Sequence, residues 1–139
     1  MITLYNRTAI IGVPGSGKST RARKNYTNVV HTDDFLGIPT DNWSERSERI
    51  AKCMLEKQFC IEGCDVVRGL RKFLKLHPGV APADHVIWLG VPKREVTDSQ
   101  RAFGKGCKKI FEEILPELHA RNVVVTIENE HERIDSDQS

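Results

Sequence analysis

Gly12-Val13-Pro14-Gly15-Ser16-Gly17-Lys18-Ser19-Thr20 is the stretch from which the rest of this chain can be read. It fits the pattern G-x-x-x-x-G-K-S/T without a mismatch, and the apolar run Ala9-Ile10-Ile11 before it predicts a strand. The residue types have a chemical reason. Glycines at 12, 15 and 17 let the backbone turn and approach a ligand closely, so that successive N–H groups converge on one anion. A helix starting near Gly17 adds its unpaired N–H groups and the positive end of its dipole. Lys18 brings a point charge to β- and γ-phosphates, and the Ser19 hydroxyl can ligate Mg²⁺. The bland reading is a glycine-rich turn entering a helix. Chance produces the pattern in roughly one chain of this length in 200, and the flanking strand and helix lower that further. The motif therefore predicts a site for a nucleoside triphosphate, with Gly12, Pro14, Gly15, Ser16, Gly17, Lys18, Ser19 and Thr20 lining it.

Working outward, extended and helical patterns alternate. Ser19 to about Tyr26 predicts a short helix, and Asn28–Thr32 a second strand ending at Asp33-Asp34. After a loop with Gly37 and Pro39, Trp43, Ser47, Ile50 and Met54 share one helical face. Phe59-Cys60-Ile61 is a third strand ending at Glu62-Gly63. Val66, Leu70, Phe73 and Leu74 mark a helix stopped near Pro78-Gly79. Val86–Leu89 is a fourth strand, and Asn122–Ile127 a fifth. Between them, Cys107, Ile110, Phe111, Ile114, Leu115 and Leu118 mark a longer helix that Pro116 should kink or restart. The pattern predicts an α/β chain: a five-stranded parallel sheet with helices on both faces, ligands lying beyond the strand C-termini. Residues 1–127 form one domain in this reading, and 128–139 an acidic tail.

Composition narrows the function classes. No apolar run approaches the length of a membrane span, and Met1–Arg7 lacks the apolar core of a secretory leader, so a cytoplasmic protein is expected. Cys53, Cys60, Cys64 and Cys107 lack C-x-x-C spacing and predict reduced thiols, not a zinc site. The net charge of +2 is unevenly spread, because residues 67–110 carry ten bases against Asp84, Glu95 and Asp98. A local basic surface suits an anionic partner.

Three further groups carry chemistry. Asp33 and Asp34 end the second strand, where a carboxylate can take the proton of a hydroxyl attacking a γ-phosphate; the alternative is two solvated turn residues. Asp33 is the favoured base, with Asp34 on the substrate. Glu62 ends the third strand and has three readings: near Mg²⁺, on the substrate, or capping the next helix. The segment Pro92–Gly106 has the composition of a basic lid with Gly104 and Gly106 as hinges, Arg101 and then Arg94 being the cations that would close over phosphates; a solvated basic loop is its alternative. Arg68 and Arg71 follow Glu62 on a helix and either grip an anionic acceptor or form an ordinary charged surface. Phe35, Trp43 and Phe103 are aromatics near the active edge, Trp43 fitting a core position better. His31, His77 and His85 carry no assigned role.

The order G-V-P-G-S-G-K-S-T, then Asp33-Asp34-Phe35, then Ile61-Glu62-Gly63, then an Arg-bearing segment after the fourth strand resembles the small P-loop kinases. Within them it is most similar to the polynucleotide-kinase and zeta-toxin-like group, across most of residues 7–127. The resemblance implies a P-loop NTPase fold, with ATP and Mg²⁺ as cofactors. It also implies Lys18 and Ser19 as their contacts, Asp33 as base and Arg101 as the lid arginine. It departs at Leu36, where polynucleotide kinases have an arginine for an acceptor phosphate, which argues against ordinary DNA 5′ ends. The compact chain looks more like the phage kinases that phosphorylate the 5-hydroxymethyl group of a modified uracil in DNA. Two other readings stay open: a kinase of a small metabolite or sugar nucleotide, and an ATPase or nucleotide-binding module without transfer. The acceptor in the first reading is a nucleic acid or nucleotide.

Overall fold

The structure, a computed structural model, describes residues 6–13, 16–17, 29–32, 43–90 and 95–128. Within them lie β1 (Arg7–Gly12), β2 (Val29–His31), α1 (Trp43–Cys53), β3 (Phe59–Glu62), α2 (Val66–Leu76), β4 (His85–Leu89), α3 (Asp98–Ala120) and β5 (Val124–Glu128). The strands form one all-parallel sheet in the order β2-β3-β1-β4-β5. The strand carrying the glycine-rich motif is therefore central.

Period-two alternation divides the sheet residues between its faces. Ala9, Ile11, Ile61, Val86 and Trp88 point to one face and pack with Ile50 of α1, Met54 just after it, Leu70 and Phe73 of α2, and Ile110 and Phe111 of α3. Trp88 stacks on Phe111 with ring centroids 4.8 Å apart and planes 6° from parallel. Ile10, Cys60, Ile87 and Leu89 form a smaller buried cluster on the other face, with Val29 beside it. All three described helices join the first cluster. The helix expected over Ser19–Tyr26 lies outside the described residues, as do Phe35, the Trp43 side chain and the tail beyond Glu128.

Three sequence expectations need correction. First, the helix expected from about Cys107 starts nine residues earlier, at Asp98, so most of the supposed lid is helical. Gly104 and Gly106 are not loop hinges but interior residues of α3, Gly104 buried. Few apolar residues mark this part because only Phe103 and Gly104 turn inward over its first two turns. A reciprocal cap starts the helix: the Thr97 hydroxyl accepts from Gln100 N at 3.1 Å, and the Gln100 side chain accepts from Thr97 N at 2.9 Å. Second, α3 runs unbroken through Pro116. That residue lies on the exposed face, where water can satisfy the carbonyl its missing N–H leaves open. Third, Glu128 is part of β5 rather than the tail, and its carbonyl accepts from Gly90 N at 3.0 Å.

Candidate functional site

Parallel register brings the strand C-termini to one edge. His31 pairs with Glu62, Ile10 with Glu62, Gly12 with Leu89, and Leu89 with Glu128. The ladder continues just past the strands: Gly63 N donates to Ile10 O at 3.1 Å and Val13 N to Leu89 O at 3.1 Å. β1 thus delivers the motif to the middle of this edge, between the end of β3 and the end of β4. Of the motif, Gly12, Val13, Ser16 and Gly17 are described. Gly17 has φ 87°, a backbone state that glycine enters at little cost. Ser16 is buried at 1% exposure, and its hydroxyl has no hydrogen-bond partner among the described residues. Pro14, Gly15, Lys18, Ser19 and Thr20 lie outside the described residues, as do Asp33, Asp34 and Arg94.

On the β3 side, charges are paired within the protein. Glu62 is buried, and its carboxylate accepts a hydrogen bond from His31 Nδ1 at 2.5 Å. That bond puts the Nδ1 proton toward Glu62 and leaves Nε2 as the outer nitrogen of the ring. His31 carries no role in the sequence reading, because 31 positions separate the partners and the parallel register joins them. Glu62 does not cap α2. The N-cap there is Asp65, and even its side chain makes no capping bond. Asp65 instead accepts from Arg46 Nε at 3.1 Å and from Arg46 Nη2 at 2.5 Å, and Nη2 also donates to the Thr32 carbonyl at 3.3 Å. Arg46, only 5% exposed on α1, therefore links the end of β2 to the start of α2. Gly63 fits close under Thr32, since a side chain there would overlap the Thr32 hydroxyl and crowd Asp65. Cys60 lies just below. Burial, and then the Glu62 carboxylate, push its thiol up to about 12, so it is a protonated bystander at neutral pH and not a nucleophile. All four cysteines are free.

The β4 side is built differently. A cleft of about 200 Å³ opens between the end of β1, the end of β4 and the first half of α3. Val13, Gly90, Val96 and Gly104 line it with apolar and backbone surface, and Arg101, Lys105 and Lys108 supply its cations. Arg101, from the supposed lid, is thus at the cleft but on a helix. Its guanidinium is more than half exposed and donates to Asp98 at 3.1 Å, an exposed pair that contributes little to stability. Phe103 is half-buried against the core rather than displayed for stacking.

Arg68 and Arg71 lie on α2. Arg71 is one turn and a half along the helix and reaches Glu113 of α3 at 3.7 Å; Lys72 reaches Glu48 of α1 at 3.9 Å. For Arg71 the geometry is that of an interhelical ion pair. Arg68 is half-buried one turn nearer the edge.

Set against models of known protein families and against curated proteins, the chain matches none. No helix among the described residues is long and apolar enough to cross a membrane.

Proposed function

We propose that the chain is an ATP-dependent phosphotransferase of the P-loop kinase type, moving a γ-phosphate to a hydroxyl on a nucleic acid or nucleotide. One observation carries this reading. The glycine-rich motif leaves the central strand of a parallel sheet at the edge where its neighbours offer a buried carboxylate on one side and a cationic cleft on the other. Ligands bind at that edge in open parallel sheets. The residues present fit a polyphosphate and Mg²⁺: Gly17 holds the positive φ of an anion-cradling turn, and the buried Ser16 hydroxyl still lacks a partner among the described residues.

In this reading backbone N–H groups of the motif from Gly15 to Thr20, other than that of Ser16, and the Lys18 ammonium hold the phosphates, and the Ser19 hydroxyl would hold Mg²⁺. The bound metal neutralises charge that develops as the phosphoryl group leaves. Asp33, two residues beyond His31, accepts the proton of the attacking hydroxyl. Asp34 and Glu62 orient the acceptor, Glu62 being itself held by His31. Arg101 approaches the phosphates from the cleft side and balances negative charge there, with Arg94 as the second cation of the reading. Among acceptors, the resemblance to phage DNA-modifying kinases favours the 5-hydroxymethyl group of a modified uracil in DNA.

The test is transfer of label from γ-labelled ATP to a panel of oligonucleotides, hydroxymethylated DNA, nucleosides and small hydroxy compounds. Lys18→Ala should abolish transfer with an unchanged circular-dichroism spectrum. Asp33→Asn should slow transfer by ~10²-fold or more while ATP still binds. Undiminished turnover in Lys18→Ala would sink the assignment. Loss of ATP affinity together with turnover in Asp33→Asn would move that residue to the metal.

A further inference from the structure

The first half of α3 crowds like charges together, with Asp98 the one acid inside that stretch and Glu112 four residues past Lys108. Arg101 and Lys105 are four residues apart, Lys105 and Lys108 three, Lys105 and Lys109 four. These are the spacings at which helix side chains are neighbours, and like charges there destabilise the helix. Asp98 answers Arg101 alone. Neither Lys105 nor Lys108 has an ion-pair or hydrogen-bond partner among the described residues. The contrast with α2 is direct, since Arg71 and Lys72 both reach carboxylates on adjacent helices. Of the bases that make residues 67–110 so positive, those on α3 are the ones left facing solvent beside a cleft.

The row also has a length. From Arg101 to Lys108 is seven residues, about 10 Å along the axis. That exceeds what one phosphate needs and suits a short run of backbone phosphates, which a duplex carries at about one per 3.4 Å of its axis on each strand. The triphosphate already has its own cradle in the glycine-rich motif, which enters the edge at Val13, on the cleft wall. A repeating anion running out of the cleft along α3 is the ligand whose charge spacing the row fits.

We infer that the cleft and the α3 row form a docking groove for the sugar-phosphate backbone of a nucleic-acid acceptor, with Lys105 and Lys108 as its principal contacts. The inference deepens the phosphotransfer reading by naming the acceptor's class and the surface that holds it, and in that respect it rests on that reading. The apolar wall of Val13, Val96 and Gly104 gives a strand a dry side to lie against, while the lysines meet its phosphates. Acceptor affinity then depends on counterion release and hence on salt.

The experiment is binding of a fluorescein-labelled oligonucleotide, single-stranded and duplex, to the full chain by anisotropy, without ATP, over a salt series. Wild type should bind with log K falling against log[salt] by about 0.7 (single strand) to 0.9 (duplex) per contacted phosphate. Lys105→Ala and Lys108→Ala should each flatten that slope by up to ~1, and Lys75→Ala, an exposed base on α2, should leave it unchanged. A flat wild-type slope, or slopes that ignore both α3 substitutions, overturns the groove. So does a Lys105→Ala/Lys108→Ala double variant that binds the oligonucleotide normally but loses affinity for labelled ATP, because the cleft would then belong to the triphosphate. Circular dichroism of each variant separates lost contact from lost fold. Because binding is read without turnover, a protein that docks DNA yet transfers no phosphate would sink the kinase reading and leave the groove standing.

Discussion

The two edges of the sheet employ the same kind of side chain for opposite ends. At the N-terminal edge, Arg7 Nη2 donates to the carbonyls of Met54, Ala81 and Pro82 at 2.7, 3.1 and 3.2 Å, and its chain pairs with Asp84 and lies over the Phe59 ring. Arg121 donates to the carbonyls of His77, Val80 and Leu74 at 2.7, 2.7 and 3.0 Å and to Glu117 at 2.9 Å. Each guanidinium satisfies carbonyls at or just past a helix end, Met54 for Arg7 and Leu74 and His77 for Arg121, together with carbonyls of the loop between α2 and β4. At the C-terminal edge, Lys105 and Lys108 meet no such partner among the described residues. Charge consumed by backbone holds the fold together. Charge held beside a cleft without a partner is available to a ligand, and the helix carrying it is the less stable for it.

Breaking the N-terminal edge should have the largest effect. The Arg121 side chain is 7% exposed, so Arg121→Ala removes buried packing and strips three carbonyls of a charged donor. A loss of about 2–4 kcal/mol in urea-denaturation stability is expected, since each unsatisfied buried group costs about 1–3 kcal/mol and the three losses overlap. Arg121→Lys should fall between, because an ammonium keeps the charge and cannot reproduce the planar fork. A loss below about 0.5 kcal/mol in Arg121→Ala would mean that this edge is no more braced than an ordinary surface.

The C-terminal edge has a braced part as well, and it sharpens the contrast. His31→Ala removes the 2.5 Å partner of a carboxylate that is almost wholly buried. About 1–3 kcal/mol of stability should be lost, and His31→Asn, which can keep a donor toward Glu62, should recover part of it. If transfer is also measured, acceptor KM should rise in His31→Ala more than ATP affinity falls, because Glu62 is the group that loses the His31 hydrogen bond. Equal loss of both would place Glu62 with the metal instead.

How far the chain could be read follows from where its information is local. The strands and α2 were legible because period-two runs and an apolar helix face are written in adjacent residues. α3 from Asp98 to Gly106 was not, since its residues face mostly solvent and the cleft and show no apolar stripe. The signal that could have found it was there in Thr97-x-x-Gln100, a capping box that marks a helix start. Arg46–Asp65 and His31–Glu62 join residues 19 and 31 positions apart, so no spacing rule could pair them. A buried arginine also reads as surface when judged by residue type. Of the glycine-rich pattern, Gly17 is the glycine whose described backbone has the positive φ that the sequence pattern calls for.

The smallest expected effect is the most discriminating. Lys105 has Arg101 four residues before it, Lys108 three and Lys109 four after it, and no acid at either spacing from it. Glutamine and lysine have nearly equal helix propensity, so Lys105→Gln changes little beyond the charge. Each like-charged neighbour costs roughly 0.2–0.5 kcal/mol, which for three predicts a variant more stable than wild type by up to about 1 kcal/mol. The gain should shrink in high salt, where exposed charges no longer sense one another across about 3–10 Å. Urea denaturation at low and high ionic strength reads both the sign and the screening. The same substitution should weaken oligonucleotide binding, so that stability and affinity move in opposite directions at one residue. That opposition is what a charge kept for a ligand produces. If Lys105→Gln instead destabilises the chain by more than about 1 kcal/mol, beyond the usual range for a surface change, the lysine has a partner in the folded state. The two edges of the sheet would then use their cations alike.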